Sequence, residues 1–165
     1  MDSWRPYLIL GVGNCLMSDD GVGVYAARIL QAAPPPETAV IATETDFLCA
    51  ISFLEWCAKV LVIDAMDASQ PPGTLYYCRY EALVQTGQKH SLHSLGLLWA
   101  LEFLDGKHRP DVHILGIQPV QTGCGWQLSP EVASVLPQVI SEARRIIKEF
   151  GRSDSTFSMP SRNFV

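Results

Sequence analysis

Short apolar runs, separated by breaks rich in glycine and proline, divide the chain into alternating strand-like and helix-like segments. Residues 7–11 (YLILG) predict a buried strand that ends in glycine. Residues 21–31 follow as a helix, with Val22, Tyr25, Ala26 and Ile29 on one face and Pro34, Pro35 and Pro36 to stop it. Residues 38–42 predict a second strand and residues 47–56 a second helix. Residues 59–64 (KVLVID) form a continuous apolar run of the kind buried inside parallel sheets. The PPG turn at 71–73 precedes a strand at 74–78, the Leu-rich segment 94–104 predicts a helix, and residues 112–117 (VHILGI) a last core strand. The longest helical pattern covers 129–150. It opens on Ser129, Pro130 and Glu131, a cap, a proline at the first position and an acid in the first turn, and Pro137 is placed to bend it.

Strands that alternate with helices predict an α/β fold: a single-domain three-layer sandwich, with a twisted, mostly parallel sheet and helices on both faces. A chain of 165 residues fits one domain with a sizeable core. That domain is expected over residues 1–150. The polar, Gly- and Pro-broken tail 151–165 is expected to be disordered. No internal repeat or linker interrupts the pattern.

Charge and composition narrow the function. The net charge of −5, from 12 basic and 17 acidic side chains, speaks against a nucleic-acid partner. No apolar run approaches the ~18 residues that span a bilayer, and the N-terminus lacks a basic region followed by a long apolar stretch, so no signal peptide is expected. The five cysteines, at 15, 49, 57, 78 and 124, are odd in number and contain no CxxC pair. That is a reducing-compartment pattern, and a cytoplasmic location is expected.

Sites in such sheets form at the carboxyl ends of strands. Three polar segments fall there or in connecting loops: residues 14–20, 64–67 and 88–94. The stretch LILGVGNCLMSDDGVGV (8–24) at first suggests a dinucleotide loop, with Gly11 and Gly13 in the first two glycine places. The third place is Leu16, and two aspartates stand where pyrophosphate would sit, so that reading is rejected. One aspartate, Asp19, suits a helix cap; a second, Asp20, is left without an obvious structural task. Asp64 ends a buried strand, where a carboxylate needs partners: either a turn contact or a site. Asp67 reads as a turn residue. His93 precedes an apolar helix, as a helix-start residue or a ligand, with His90 three residues before it. If Asp20, Asp64 and His93 converge, two carboxylates and an imidazole make a workable set for nickel, zinc or iron, with positions left open for substrate. Cys15 and Cys49 read either as small buried hydrophobes or as nucleophiles. Trp126, in the GCGW loop, reads either as packing or as a substrate-binding edge.

The segments GVGNCLMSDDGVG, VLVIDAMD, HSLHSLGLL and LGIQPVQTGCGWQLSP resemble, in order and spacing, the hydrogenase maturation proteases. These endopeptidases trim the C-terminus of the large subunit of NiFe-hydrogenases. The resemblance covers residues 8–149. Its most specific part is the opening GxGNxLxxDDGxG, and GIQP at 116–119 is a secondary marker that the formate-hydrogenlyase branch shares. The resemblance implies a single α/β domain whose metal-binding and catalytic residues fall on Asp20, Asp64 and His93. It implies a folded large-subunit precursor as partner, with nickel already held by cysteine thiolates, and recognition of that nickel by the protease. Nickel would thus arrive with the substrate, and other divalent metals could stand in for it in crystals. It implies cleavage just after the last metal-binding motif, by metal-assisted or aspartic-type hydrolysis, and a monomeric enzyme. One departure stands out: where the family has an Asp-Gly-Gly-(Thr/Ser) turn, this chain has IATETDF (41–47), with Ala42, Thr43 and Glu44 in those places. Two alternatives remain: a non-cleaving metal- or precursor-binding chaperone on the same fold, and a hydrolase for a different small amide or peptide.

Overall fold

The computed structural model describes residues 6–44, 48–86, 104 and 109–154. Along the chain these form β1 (Tyr7–Val12), a 3-10 turn (Ser18–Gly21), α1 (Val22–Ala32), β2 (Thr38–Thr43), α2 (Leu48–Trp56), β3 (Lys59–Ala65), β4 (Leu75–Arg79), α3 (Tyr80–Thr86), β5 (Asp111–Ile117) and α4 (Pro130–Asp154). The expected helix over 94–104 lies almost entirely outside the described residues. The helix α4 runs to Asp154, four residues beyond its expected end, and so takes in the start of the segment expected to be disordered. Residues 155–165 lie outside the description. Two elements escaped the sequence pattern, the 3-10 turn and the seven-residue α3.

The five strands lie in the order β2-β1-β3-β5-β4. The first four run parallel, and β4 is antiparallel to β5 on the edge. Strand alternation splits the core in two. Ile9, Leu61, Ile63, Leu115 and Ile117 face α1 and α4, where they meet Val22, Ala26, Leu30, Val139, Ala143 and Ile146. Leu8, Leu10, Val60, Val62, Val112 and Ile114 face the other way, onto Ala50 and Leu54 of α2 and Tyr80 of α3. Each fully buried Leu or Ile stabilises by roughly 1.5–3 kcal/mol, so these two apolar layers hold the sheet between its helices. The three-layer α/β sandwich expected from the alternation is the observed fold.

The buried side of α1 differs from the expected one. Val22, Gly23, Ala26, Ala27 and Leu30 are buried, whereas Ile29 is 48% exposed. The reason is the closeness of the helix to the sheet. A Cβ on Gly23 would lie 2.1 Å from the Ile63 carbonyl oxygen and 2.4 Å from that of Val12. Only small residues fit this line of contact, and it turns Ile29 outward. Gly23 thus does the close-packing task that the third glycine of a dinucleotide loop would do.

The topology fixes where a site can form. From β1 the chain passes through α1 to β2 on one side, then returns through α2 to β3 on the other side of β1. The strand order reverses between β1 and β3, so the crevice outside their carboxyl ends is the switch point where ligands bind in open α/β sheets. Among the described residues, no helix is long and apolar enough to cross a membrane.

Candidate functional site

The loop after β1 folds back over the strand end. Gly13 has φ +139°, and a Cβ there would lie 1.9 Å from the Asp20 carbonyl oxygen, so the loop can close only with glycine at this position. The Asn14 side chain accepts the Leu16 N–H at 2.9 Å. The Asn14 backbone N–H in turn donates to Oδ2 of Asp20 at 2.8 Å, which orients that half-buried carboxylate within the 3-10 turn. Asp64, the penultimate residue of β3, is 4% exposed and lies in register with Gly116 of β5. The 3-10 turn packs against β3. Asp20 and Asp64 therefore come from neighbouring elements at the switch point. His93 and His90 lie outside the described residues. Among the described residues, no three His, Cys, Asp or Glu side chains form a group that could hold a metal ion.

The adjacent aspartates divide their tasks, though not as the sequence suggests. Asp19 caps no turn of its own helix: the residue before α1 is Gly21, with no side-chain cap bond. Instead the fully buried Asp19 carboxylate reaches across to the loop between β5 and α4. It accepts the backbone N–H of Val120 (2.9 Å), Gln121 (3.3 Å) and Ser129 (2.6 Å), and the Ser129 hydroxyl (2.9 Å). Ser129 is the expected cap of α4, and its hydroxyl oxygen accepts the Val132 N–H at 3.3 Å. Backbone bonds extend the clasp: Ser18 N–H to Gly125 O (2.9 Å), Gly125 N–H to Leu16 O (3.0 Å) and Asp19 N–H to Gln121 O (3.3 Å).

Gln118, immediately after β5, was not singled out from the sequence beyond its place in GIQP. It is buried, and its Oε1 accepts Ala68 N–H (2.8 Å), Gln70 N–H (3.3 Å) and the Tyr76 hydroxyl (2.9 Å). Its Nε2 donates to Asp67 Oδ1 at 3.0 Å. One amide thus fixes the loop that follows Asp64. The available signal was a polar residue closing an otherwise apolar strand. Asp67 is the expected turn residue: it accepts Ser69 N–H at 2.9 Å, and this bond together with Gln118 holds its carboxyl below the usual range.

Neither Cys15 nor Cys57 supplies an activated nucleophile. Burial pushes the Cys15 thiol up despite Arg28, whose guanidinium lies 3.7 Å from Sγ. Burial pushes Cys57 up to about 12. Both therefore favour the unreactive thiol at neutral pH. The side chain of Cys49 lies outside the description. Glu44, which stands in the replaced turn, forms an ion pair with Arg28 of α1 at 2.8 Å. Trp126 does not pack inward: it is 81% exposed, although its carbonyl oxygen accepts the Tyr25 hydroxyl at 3.3 Å.

Comparison with known proteins agrees with this architecture. The sequence model of the family described as hydrogenase maturation protease matches residues 24–146. The hydrogenase expression/formation protein HupD of Bradyrhizobium diazoefficiens is 31% identical over 160 residues, spanning 93% of this chain and 83% of that one. The [NiFe] hydrogenase maturation protease HybD from Thermococcus kodakarensis superposes with a TM-score of 0.72 at 28% identity, covering 85% of this chain and 97% of the other. The hydrogenase maturating endopeptidase HybD from E. coli shares the fold, with a TM-score of 0.77 at 23% identity over 88% of this chain and 93% of that one.

Proposed function

The chain belongs to the hydrogenase maturation protease family, and from that premise we propose that it removes the C-terminal peptide of a NiFe-hydrogenase large-subunit precursor after nickel has been inserted. In this reading the nickel is part of the substrate, held by the precursor's cysteine thiolates. Asp20, Asp64 and His93 complete its coordination and bring the scissile bond to the switch-point crevice. What supports the reading is that Asp20, oriented by Asn14 N–H, and the buried Asp64 belong to adjoining elements at that crevice. Carboxylates suit a divalent ion that needs further oxygen ligands, and they suit general-base activation of water. The metal-assisted route uses nickel to polarise the scissile carbonyl or the water; the aspartic-type route uses a carboxylate alone. The expected working form is a cytoplasmic monomer.

Substitution tests the assignment. Asp20→Asn, Asp64→Asn and His93→Ala are each expected to abolish processing of a nickel-loaded precursor while the chain stays folded. Retained processing in all three would overturn it.

The replaced turn favours a second reading. Ala42, Thr43 and Glu44 stand in place of Asp-Gly-Gly, and Glu44 is drawn to Arg28. A chain with an altered rim that binds the precursor without cutting it would form a stable complex and release no peptide.

A further inference from the structure

Three of the large apolar side chains exposed among the described residues lie on the two loops clasped together beside Asp20: Leu16 (54%), Val120 (47%) and Trp126 (81%). A tryptophan so exposed is unusual, because its ring is normally covered on folding. Nothing in the local backbone leaves it loose. Gly125, its neighbour, exchanges hydrogen bonds with Leu16 and Ser18. Its own carbonyl accepts Tyr25, and the buried Asp19 anchors both sides of the loop at 120–121 and 129. A fully buried carboxylate therefore anchors the loop from which the exposed indole projects. Neither loop carries a charge of its own outside the aspartates: residues 13–18 (GNCLMS) and 119–129 (PVQTGCGWQLS) contain no Asp, Glu, Lys or Arg, in a chain of net charge −5. The ledge is continuous with the site. Leu16 N–H bonds the Asn14 side chain, and Asn14 N–H bonds Asp20.

We propose that Trp126, with Leu16 beside it, is the specificity-determining contact for the substrate polypeptide next to its scissile bond, and that the segment docked there is apolar and uncharged. This rests on the proteolytic reading above. Neither loop of the ledge carries a basic side chain, and the Arg28 guanidinium that reaches Cys15 is already paired with Glu44 at 2.8 Å. An acidic segment would meet Asp20 without a free counter-charge, whereas an apolar side chain removes the indole and Leu16 from water. An aromatic side chain in a small contact is also where binding energy concentrates.

The test measures binding and cleavage separately. Nickel-loaded precursor is titrated against wild type, Trp126→Ala, Trp126→Phe and Trp56→Ala, the last an exposed tryptophan (69%) on α2 that serves as a control. Initial cleavage rates give KM and kcat, a gel-shift or calorimetric titration gives Kd, and thermal melting checks the fold. Trp126→Ala is expected to raise KM and Kd about tenfold or more, in the range of an interface hot spot, with kcat and melting unchanged. Trp126→Phe should recover most of the loss, and Trp56→Ala should match wild type. Wild-type KM and Kd for Trp126→Ala, in an enzyme that cleaves normally, would overturn the ledge and leave the proteolytic reading standing. A wild-type chain that cuts nothing, yet loses precursor binding on Trp126→Ala, would overturn the proteolytic reading and keep the ledge.

Discussion

Asp19 and Ser129, 110 residues apart in the chain, are joined by two hydrogen bonds: the carboxylate of Asp19 accepts the Ser129 backbone N–H at 2.6 Å and its hydroxyl at 2.9 Å. The contact couples the 3-10 turn that carries Asp20 to the N-terminus of α4. The same carboxylate also holds the loop that carries Trp126.

The two neighbouring aspartates should therefore fail in different ways. Asp19→Ala removes a fully buried carboxylate and leaves up to four part-buried donors without their acceptor. It is expected to cost about 3 kcal/mol, by analogy with other buried, charge-assisted bonds. Asp20→Asn, at a half-buried position, should change stability by less than about 1 kcal/mol while processing is lost. Urea unfolding of both variants beside a cleavage assay checks the division. Equal stability losses would contradict it.

The close approach of α1 to the sheet gives a second expectation. Gly23→Ala forces a Cβ into two carbonyl oxygens of the sheet. Backbone cannot give way there as a flexible side chain can, so the cost should exceed about 3 kcal/mol, above the usual range for overpacking. Gly123, with nothing within 4 Å of its would-be Cβ, is the control, and Gly123→Ala should melt like wild type. Thermal melting of the two variants decides the matter. A Gly23→Ala chain as stable as Gly123→Ala would mean the helix sits farther from β1 and β3.

The loop after Asp64 should respond to acid. Asp67 is held below its ordinary carboxyl range by Ser69 N–H and Gln118. A group whose folded pKa lies below its unfolded value binds fewer protons in the folded state. Its contribution is therefore present above about pH 4, and is lost as pH falls through the folded pKa. Asp67→Asn keeps the acceptor oxygen but not the charge. It should flatten the fall in stability below about pH 4, read from urea midpoints across the acid range. An acid limb as steep as wild type would exclude Asp67 as a contributor.

Much of this was legible in the sequence, for identifiable reasons. The runs YLILG, KVLVID and VHILGI are strands because both their faces are buried, so hydrophobicity alone marks them. Ser129 announced its cap because capping is local. The role of Asp19 was hidden because its partners lie about 100 residues away, and no spacing rule reaches that far. The helix α3 was missed because seven residues carry too short a periodic signal, and it follows β4 with no break. Ile29 was assigned to the wrong side of α1 because the pattern weighs hydrophobicity, whereas the contact selects for smallness at Gly23, Ala26 and Ala27. Asp20 lies in the 3-10 turn after β1 and Asp64 near the end of β3, both beside the switch point. His93, the third residue nominated, lies outside the described residues.

The central claim is that the chain cuts a nickel-loaded precursor, and intact mass tests it most directly. The large-subunit precursor from the same organism, prepared with and without nickel, is weighed before and after incubation with the protein. The account predicts loss of one defined C-terminal peptide from the nickel-loaded form alone. An unchanged mass in the nickel-loaded precursor, or the same cut with and without nickel, would contradict it.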